Sequence, residues 1–430
     1  MSDTTPESTN PVAPGEEHPA LQDEGLEPSS RGRQILREIV SGNALISVLA
    51  VVLALLVSAL LIIMSNKGVQ AASGYFFSRP MDTVEAVWEA VSGAYVALFQ
   101  GAIYNFKVDT FAAGIRPITE TLAFATPLIA AGLGVGLGFR VGLFNIGGRG
   151  QMLMAIAVSA YVGFTFELPF GIHLLAAIIA GLAAGALWGG IVGLLKARTG
   201  AHEVIVTIML NFVAFYLFSF WLRTPGALQA PGSNNPKSPA IAETAAYPEL
   251  LGPAYNLRWD FILVVLVTVY VWYLLNRSSL GFTFRAVGEN PHAARVAGIN
   301  VKNTYVWAML FSGGLVGLAG ISQSLGTFTT GFGSGADAGL GFEAITVALL
   351  GRSRPWGVFV AGLLFGALKA GGYAMQASQQ IPIDIVLVIQ SLIVLFIAAP
   401  PLVRAIFRLP TPGLTARRKP GFAKKAVVTK

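Results

Sequence analysis

The chain has 430 residues, of which 54% are hydrophobic and 12% charged, with a formal net charge of +7 and no cysteine. A soluble globular domain carries roughly 25% charged residues, so a water-soluble enzyme is excluded. Without cysteine, so are a disulfide framework, thiolate chemistry and cysteine-ligated metals. The basic excess flanks apolar runs, which is how a membrane protein uses it, and no nucleic-acid partner is expected.

Residues 1–30 carry seven acidic side chains and no Lys or Arg, among several Pro, Ser and Gly. Such a composition buries no core, and 1–37 is expected to be a disordered acidic tail. It lacks the basic-then-apolar order of a signal peptide. The run ALISVLAVVLALLVSALLIIM (44–64) is then as long as the ~20 residues that a bilayer-crossing helix needs. Further spans are expected at 117–138, 151–168, 171–194, 202–222, 260–276, 305–325, 341–352, 356–376 and 383–403. The fold class is an all-α polytopic membrane protein of about ten helices. Its membrane body covers 38–405 and a basic tail covers 406–430.

Charge orients the chain. Arg140 and Arg149, Lys196 and Arg198, Arg277, Arg285, Arg295 and Lys302, and Arg352 and Arg354 fall in connections on one side, together with eight basic residues from Arg404 onward. The opposite connections, notably 224–256, are longer and poor in Lys and Arg. Both termini are therefore expected in the cytoplasm, with the spans in the plasma (inner) membrane. Two spans look incomplete. At 1.5 Å per residue, 341–352 covers only about 18 Å, and 117–138 passes through Pro127 and glycines 132, 134, 136 and 138. Broken or short helices mark substrate paths in many transporters.

Residues 288–299 read GENPHAARVAGI and stand between apolar runs. Asn290 is placed to cap a helix, Pro291 to take its first position, and Gly298 to end it in a left-handed conformation. Between them Ala293, Ala294 and Ala297 offer a small-residue face, flanked by Glu289 and Arg295. Two turns are marginal alone. One reading is a loop helix packed on its own neighbours; the other is a docking helix that enters a groove on another protein.

Polar residues inside spans usually face the bundle interior. In GLFNIGGRGQ (142–151), Phe144, Asn145 and Gln151 sit among glycines that let backbone approach a solute. The alternative is a helix break whose Asn and Gln satisfy freed backbone groups. Asn211 and Gln390 join them as pathway candidates. Lys369 is expected to snorkel outward from its span, and Glu203 and Glu343 to serve as helix-dipole partners. HEVIVTIMLN (202–211) and FEAITVALLG (342–351) share a faint pattern in opposite directions through the membrane. No nucleophile–base pair stands out, four scattered histidines make no metal site, and no cofactor is expected.

GENPHAARVAGI resembles the cytoplasmic coupling segment of ABC-importer permeases in the branched-chain amino acid, simple sugar and nucleoside group. LGFTFRAVG (280–288), INVKNTYVWAMLFSGGLVGLAG (299–320), GLFNIGGRGQ, LKARTGAHEVIVTIMLN (195–211) and GFEAITVALLGR (341–352) resemble that group as well. The likeness covers roughly 115–405 and is closest to nucleoside-type permeases. Relatives often carry an acid where this chain has Arg149. The resemblance implies that the helix at 291–297 docks on a cytoplasmic ABC ATPase. It also implies a second permease, related but different, and an extracytoplasmic substrate-binding lipoprotein. No G-x-x-x-x-G-K-[ST] occurs in the chain, so ATP would be bound elsewhere. The basic tail reads equally well as a contact with membrane lipid and as a topology signal. The rival reading is an ion-gradient-driven secondary transporter, with a passive channel as a third. Against the first, no intramembrane Asp/Glu/His relay is evident.

Overall fold

A computed structural model of the chain describes residues 43–408. The acidic tail at 1–37 lies outside the described residues, as does all but the first three residues of the tail at 406–430. No strand occurs among the described residues. Helices α1 (Asn43–Ser65) and α2 (Lys67–Ser73) lead to α3 (Pro80–Ala102), and a single turn, α4 (Phe111–Gly114), leads to α5 (Arg116–Arg140). Then come α6 (Gly148–Thr165), α7 (Ile172–Thr199) and α8 (Glu203–Trp221). A long connection reaches α9 (Asp260–Arg277), followed by the short α10 (Ser279–Glu289) and α11 (Pro291–Val296). Helix α12 (Val301–Ser322) runs into a π-helical turn at Gln323–Thr327, and α13 (Leu340–Leu350), α14 (Pro355–Gln379), α15 (Ile383–Ala398) and α16 (Pro400–Ile406) complete the fold.

Among the described residues, seven helical stretches are long and apolar enough to cross a bilayer, or eight if α15 and α16, bent by 93°, form one span. The expected span at 383–403 is therefore not one straight helix. The bend falls at Ala399–Pro400, where proline disfavours helical backbone before it and cannot donate into the preceding turn. Helix α13 is indeed short, about 17 Å for its 11 residues. The sequence reading passed over α3, because Asp82, Glu85 and Glu89 interrupt its apolar pattern. The helix nevertheless lays Gly101 and Leu98 against α14, where a side chain on Gly371 would collide with the Leu98 carbonyl.

Helix α5 corrects a second expectation. Pro127 and its glycines do not break it; the helix is continuous, and every residue from Ala125 to Gly138 is buried. Its glycines are contact points instead. A Cβ on Gly134 would lie 2.6 Å from the Ser312 carbonyl of α12, and one on Gly132 would press on Val347 and Val358. Lipid tails are as apolar as leucine, so membrane helices gain from close packing and hydrogen bonds rather than from hydrophobic burial. The same logic joins α7 to α12. Gly181, Gly185, Gly189 and Gly193 recur every fourth residue and so share one helix face. A Cβ on Gly185 would lie 2.7 Å from the Gly313 carbonyl, and one on Gly189 2.5 Å from the Met309 carbonyl. A second, smaller core joins α1, α3, α14 and α15 through residues such as Ala54, Ala94, Met375 and Ile389.

Candidate functional site

Three polar features of this bundle carry chemistry, and the break between α5 and α6 is the first. Asn145 is fully buried there. Its Nδ2 donates to Ser312 Oγ at 2.8 Å and Gln151 Oε1 at 3.1 Å. Its Oδ1 accepts from the Gly147 N–H at 2.9 Å and from Gln151 Nε2 at 3.2 Å. Asn211 reaches in from α8, accepting from the Gly150 N–H at 2.8 Å and donating to the Ile146 carbonyl at 2.9 Å. The structure thus brings together Asn145, Gln151 and Asn211, and spends their hydrogen bonds on backbone and on one another. A buried backbone group left unpaired costs about 1–3 kcal/mol, so this knot holds the break closed. Phe144 is half-exposed beside it, its ring centroid 4.6 Å from that of Phe139. Gln390 is not part of the group. It lies on α15 against the second core, and its buried Nε2 has no partner.

Lys369, Glu203 and Arg149 depart from what the sequence suggested. Lys369 does not snorkel outward; its Nζ donates to both Glu343 oxygens at 2.8 Å, in a largely buried ion pair. Glu203 likewise is more than a dipole partner, since Lys196 Nζ lies 2.5 Å from its Oε2 and the Phe144 N–H donates to its Oε1 at 3.4 Å. Arg149 was read as a topology signal. Its Nε instead lies 3.2 Å from Asp337 Oδ2, an ion pair without hydrogen-bond alignment, and its guanidinium sits 4.6 Å over the Phe215 ring. A cation at the start of α6 opposes the helix dipole, and Asp337 offsets it.

The second feature is the α10–α11 segment. Asn290 Oδ1 accepts from the N–H groups of His292 and Ala293, both at 3.0 Å, with Pro291 at the first helical position. Gly298 has φ +83° and ends the helix in the left-handed region that glycine favours. Glu289, Asn290, Ala293, Arg295, Ala297 and Gly298 are exposed, and Pro291 is half-buried. Ala294 points inward with 4% exposure, while Val296, which the sequence reading did not single out, is 91% exposed. The segment is anchored by backbone. A side chain on Gly288 would collide with the Arg140 carbonyl at the end of α5. Arg140 Nε in turn donates to the Ser353 carbonyl at 2.9 Å, in the turn between α13 and α14.

The third feature was only partly visible in sequence. At the opposite end of α5, a cavity of about 360 Å³ opens beside the π-helical turn. Its lining includes Glu120, Phe124, Asn256, Asp260, Gln323 and Tyr373. Short π-helical insertions within α-helices are frequent at functional sites, and pockets of this size hold small ligands. Asn256 Nδ2 donates to Glu120 Oε1 at 2.6 Å. Asp260 accepts from Ser322 Oγ at 2.5 Å and from the Phe261 N–H at 2.9 Å. The rings of Phe124 and Tyr373 stack with centroids 5.4 Å apart. Arg258 and Lys369 complete the charged lining. Of these residues only Lys369 drew notice in the sequence. The others sit at span ends or in the long connection, where polar side chains are unremarked. Pro127 was the available signal: it deprives the Ala123 carbonyl of its helical donor, and Ala123 lines the cavity.

Comparison with known proteins places these features in a family. Residues 118–398 match the family model described as branched-chain amino acid transport system / permease component. The guanosine ABC transporter permease protein NupP of Bacillus subtilis (strain 168) is 36% identical over 361 residues, covering 83% of this chain and 93% of that protein. The glucose ABC transporter permease protein TsgB13 of Haloferax volcanii is 35% identical over 292 residues, covering 65% and 75%. The nucleoside ABC transporter permease protein NupB of Lactococcus lactis subsp. cremoris is 31% identical over 326 residues, covering 73% and 89%. The same two bacteria each contain a second matching permease, NupQ and NupC, at 29% and 27% identity. No solved structure matches. These relatives are transporter components rather than enzymes, and none is an ion-gradient-driven carrier by name. With its apolar helices and its match over most of their length, the chain belongs to the branched-chain amino acid transport system / permease component family, as a multi-pass membrane subunit of an ATP-binding cassette importer.

Proposed function

We propose that this permease carries a nucleoside inward, working with a cytoplasmic ATPase that docks on α11. The observation that carries the proposal is the geometry of that segment. Helix α11 is rigidly capped, exposes Val296, Arg295 and Ala297, and is joined backbone-to-backbone through Gly288 to α5. Helix α5 is one continuous rod, and its other end carries Phe124 and Glu120 of the cavity, roughly 24 and 30 Å from Arg140 at 1.5 Å per residue. A push on α11 is thereby offered a direct route to the cavity walls. ATP can shift the inward–outward equilibrium only through contacts that differ between the two states. Glu289, Asn290, Pro291, Ala293, Ala294, Arg295, Ala297 and Gly298 supply or shape those contacts.

The remaining organisation follows from the same reading. Residues 38–405 form the permease body, with both termini cytoplasmic and ten passes, two of them through the short α6 and α13. The contacts of Arg140 with Gly288 and Ser353 support placing those connections on one side, and that of Glu120 with Asn256 supports placing 224–256 on the other. A second, related but different permease completes the pathway, as the paired guanosine and nucleoside permeases of two bacteria suggest. A binding lipoprotein delivers solute to the outer connections. Phe144 then borders the inner end of the path, with Asn145, Gln151 and Asn211 bracing it, and Gln390 stands apart on α15.

Proteoliposomes holding this chain with its ATPase, second permease and lipoprotein test the proposal with radiolabelled guanosine. Uptake should need ATP and the lipoprotein. The Gly288→Val variant should lose about ten-fold in uptake while ATP hydrolysis continues, because the added side chain pushes α10 off α5. Uptake without ATP, abolished by an ionophore, would overturn the reading.

A further inference from the structure

We infer that the cavity beside the π-helical turn is the solute-recognition site, and that it takes a neutral molecule joining a planar heteroaromatic ring to vicinal hydroxyls, the chemistry of a ribonucleoside. The inference rests on the nucleoside reading above for its substrate class, and on the cavity for its residues. The exclusion of anions comes first. The lining carboxylates Glu120 and Asp260 face the cations Arg258 and Lys369, but these two also pair with Glu249 and Glu343, so carboxylates are in excess. Glu120 is engaged by Asn256, Asp260 by Ser322, Arg258 by the Tyr247 carbonyl at 2.8 Å, and Lys369 by Glu343. A phosphate would enter as an uncompensated negative charge, which is costly to bury.

The ring is argued from Phe124 and Tyr373. Their stacked rings form an aromatic wall on which a planar base can stack. Gln323 supplies the reading of the ring edge. It is 6% exposed, lines the cavity, and its amide makes no hydrogen bond to another described residue. Open to the cavity, this amide offers one acceptor and two donors to a base edge. The hydroxyls are argued from Glu120, whose Oε2 makes no hydrogen bond to a described residue. A carboxylate oxygen of this kind accepts a ribose hydroxyl proton in dinucleotide-binding folds. A hexose could lay a C–H face on the same wall, and the glucose arm of the test below separates the two.

Photolabelling of the full chain in its own membranes with 8-azidoguanosine tests the site without relying on ATP. Label should fall on peptides from 116–140, 323–340 and 355–379. Guanosine should block it, 2′-deoxyguanosine should block it less well, and glucose and guanosine monophosphate should not block it. Tyr373→Ala and Gln323→Leu should each lower labelling about ten-fold, the loss expected when a stack or a paired amide is removed. Tyr373→Phe should stay within about two-fold of the parent, because the ring is retained. Labelling confined to other segments, no saturable labelling, equal protection by glucose, or full labelling of Tyr373→Ala would overturn the inference. ATP-driven guanosine uptake without this labelling would overturn the site alone. Labelling with ATP-independent uptake would overturn the ATP-driven reading and leave the site standing.

Discussion

The break between α5 and α6 and the cavity at the π-helical turn are both polar interruptions in an apolar bundle, and they are built in opposite ways. At the break, Asn145, Gln151 and Asn211 are buried and bonded to backbone or to one another. At the cavity, Gln323 is equally hidden from solvent but its amide has no described partner, and the aromatic pair forms a wall beside it. A polar residue at membrane depth therefore says little about transport until its hydrogen bonds are known. The first group braces the protein; the second has bonding capacity left for a solute.

The contrast can be broken most directly at Asn211. Asn211→Leu orphans the Gly150 N–H and the Ile146 carbonyl together, a loss of roughly 2–6 kcal/mol. Thermal unfolding of the purified chain, followed by tryptophan fluorescence, should show a large fall in midpoint; an unchanged midpoint would mean that the knot does not brace the fold. Lys369→Met comes next. It strands the Glu343 carboxylate in a site where the two side chains are 18% and 11% exposed, and should cost about 3 kcal/mol. Adding Glu343→Gln should restore more than half of that loss, and a double-mutant cycle measures the recovery.

Smaller effects sharpen the comparison from the other side. Gln323→Leu removes an amide with no partner, so stability should hold or rise by up to ~1 kcal/mol, in contrast to Asn211→Leu. The smallest change is expected for Gln390→Leu. Its Nε2 is already unpartnered, and both stability and guanosine uptake should stay within about two-fold of the parent. A clear loss of uptake in that variant would return Gln390 to the pathway.

Local features were legible in the sequence because they depend on neighbours in the chain. The Asn290 cap, the Pro291 start and the left-handed Gly298 all stand where the string GENPHAARVAGI places them. So do the short α13 and most of the long apolar helices. What failed was inference from composition about packing. The glycines of α5 looked like a break and are contact surfaces, and Asp82, Glu85 and Glu89 concealed α3. Ala294 looked like a docking residue and faces inward, leaving Val296 as the exposed apolar side chain of α11.

By itself, then, the sequence determined the membrane class, the family blocks and the capped helix that follows Asn290, because hydropathy, charge and capping act over a few turns of one chain. Only the tertiary structure decided which polar groups are spent and which remain open. Asn145 meets Ser312 across 167 residues, Lys369 meets Glu343 from the next helix, and the cavity gathers Glu120, Asn256, Asp260, Gln323 and Tyr373 from four separate segments. Hydrogen bonding is a short-range, pairwise property, and a partner that folding brings in from elsewhere in the chain has no local signature.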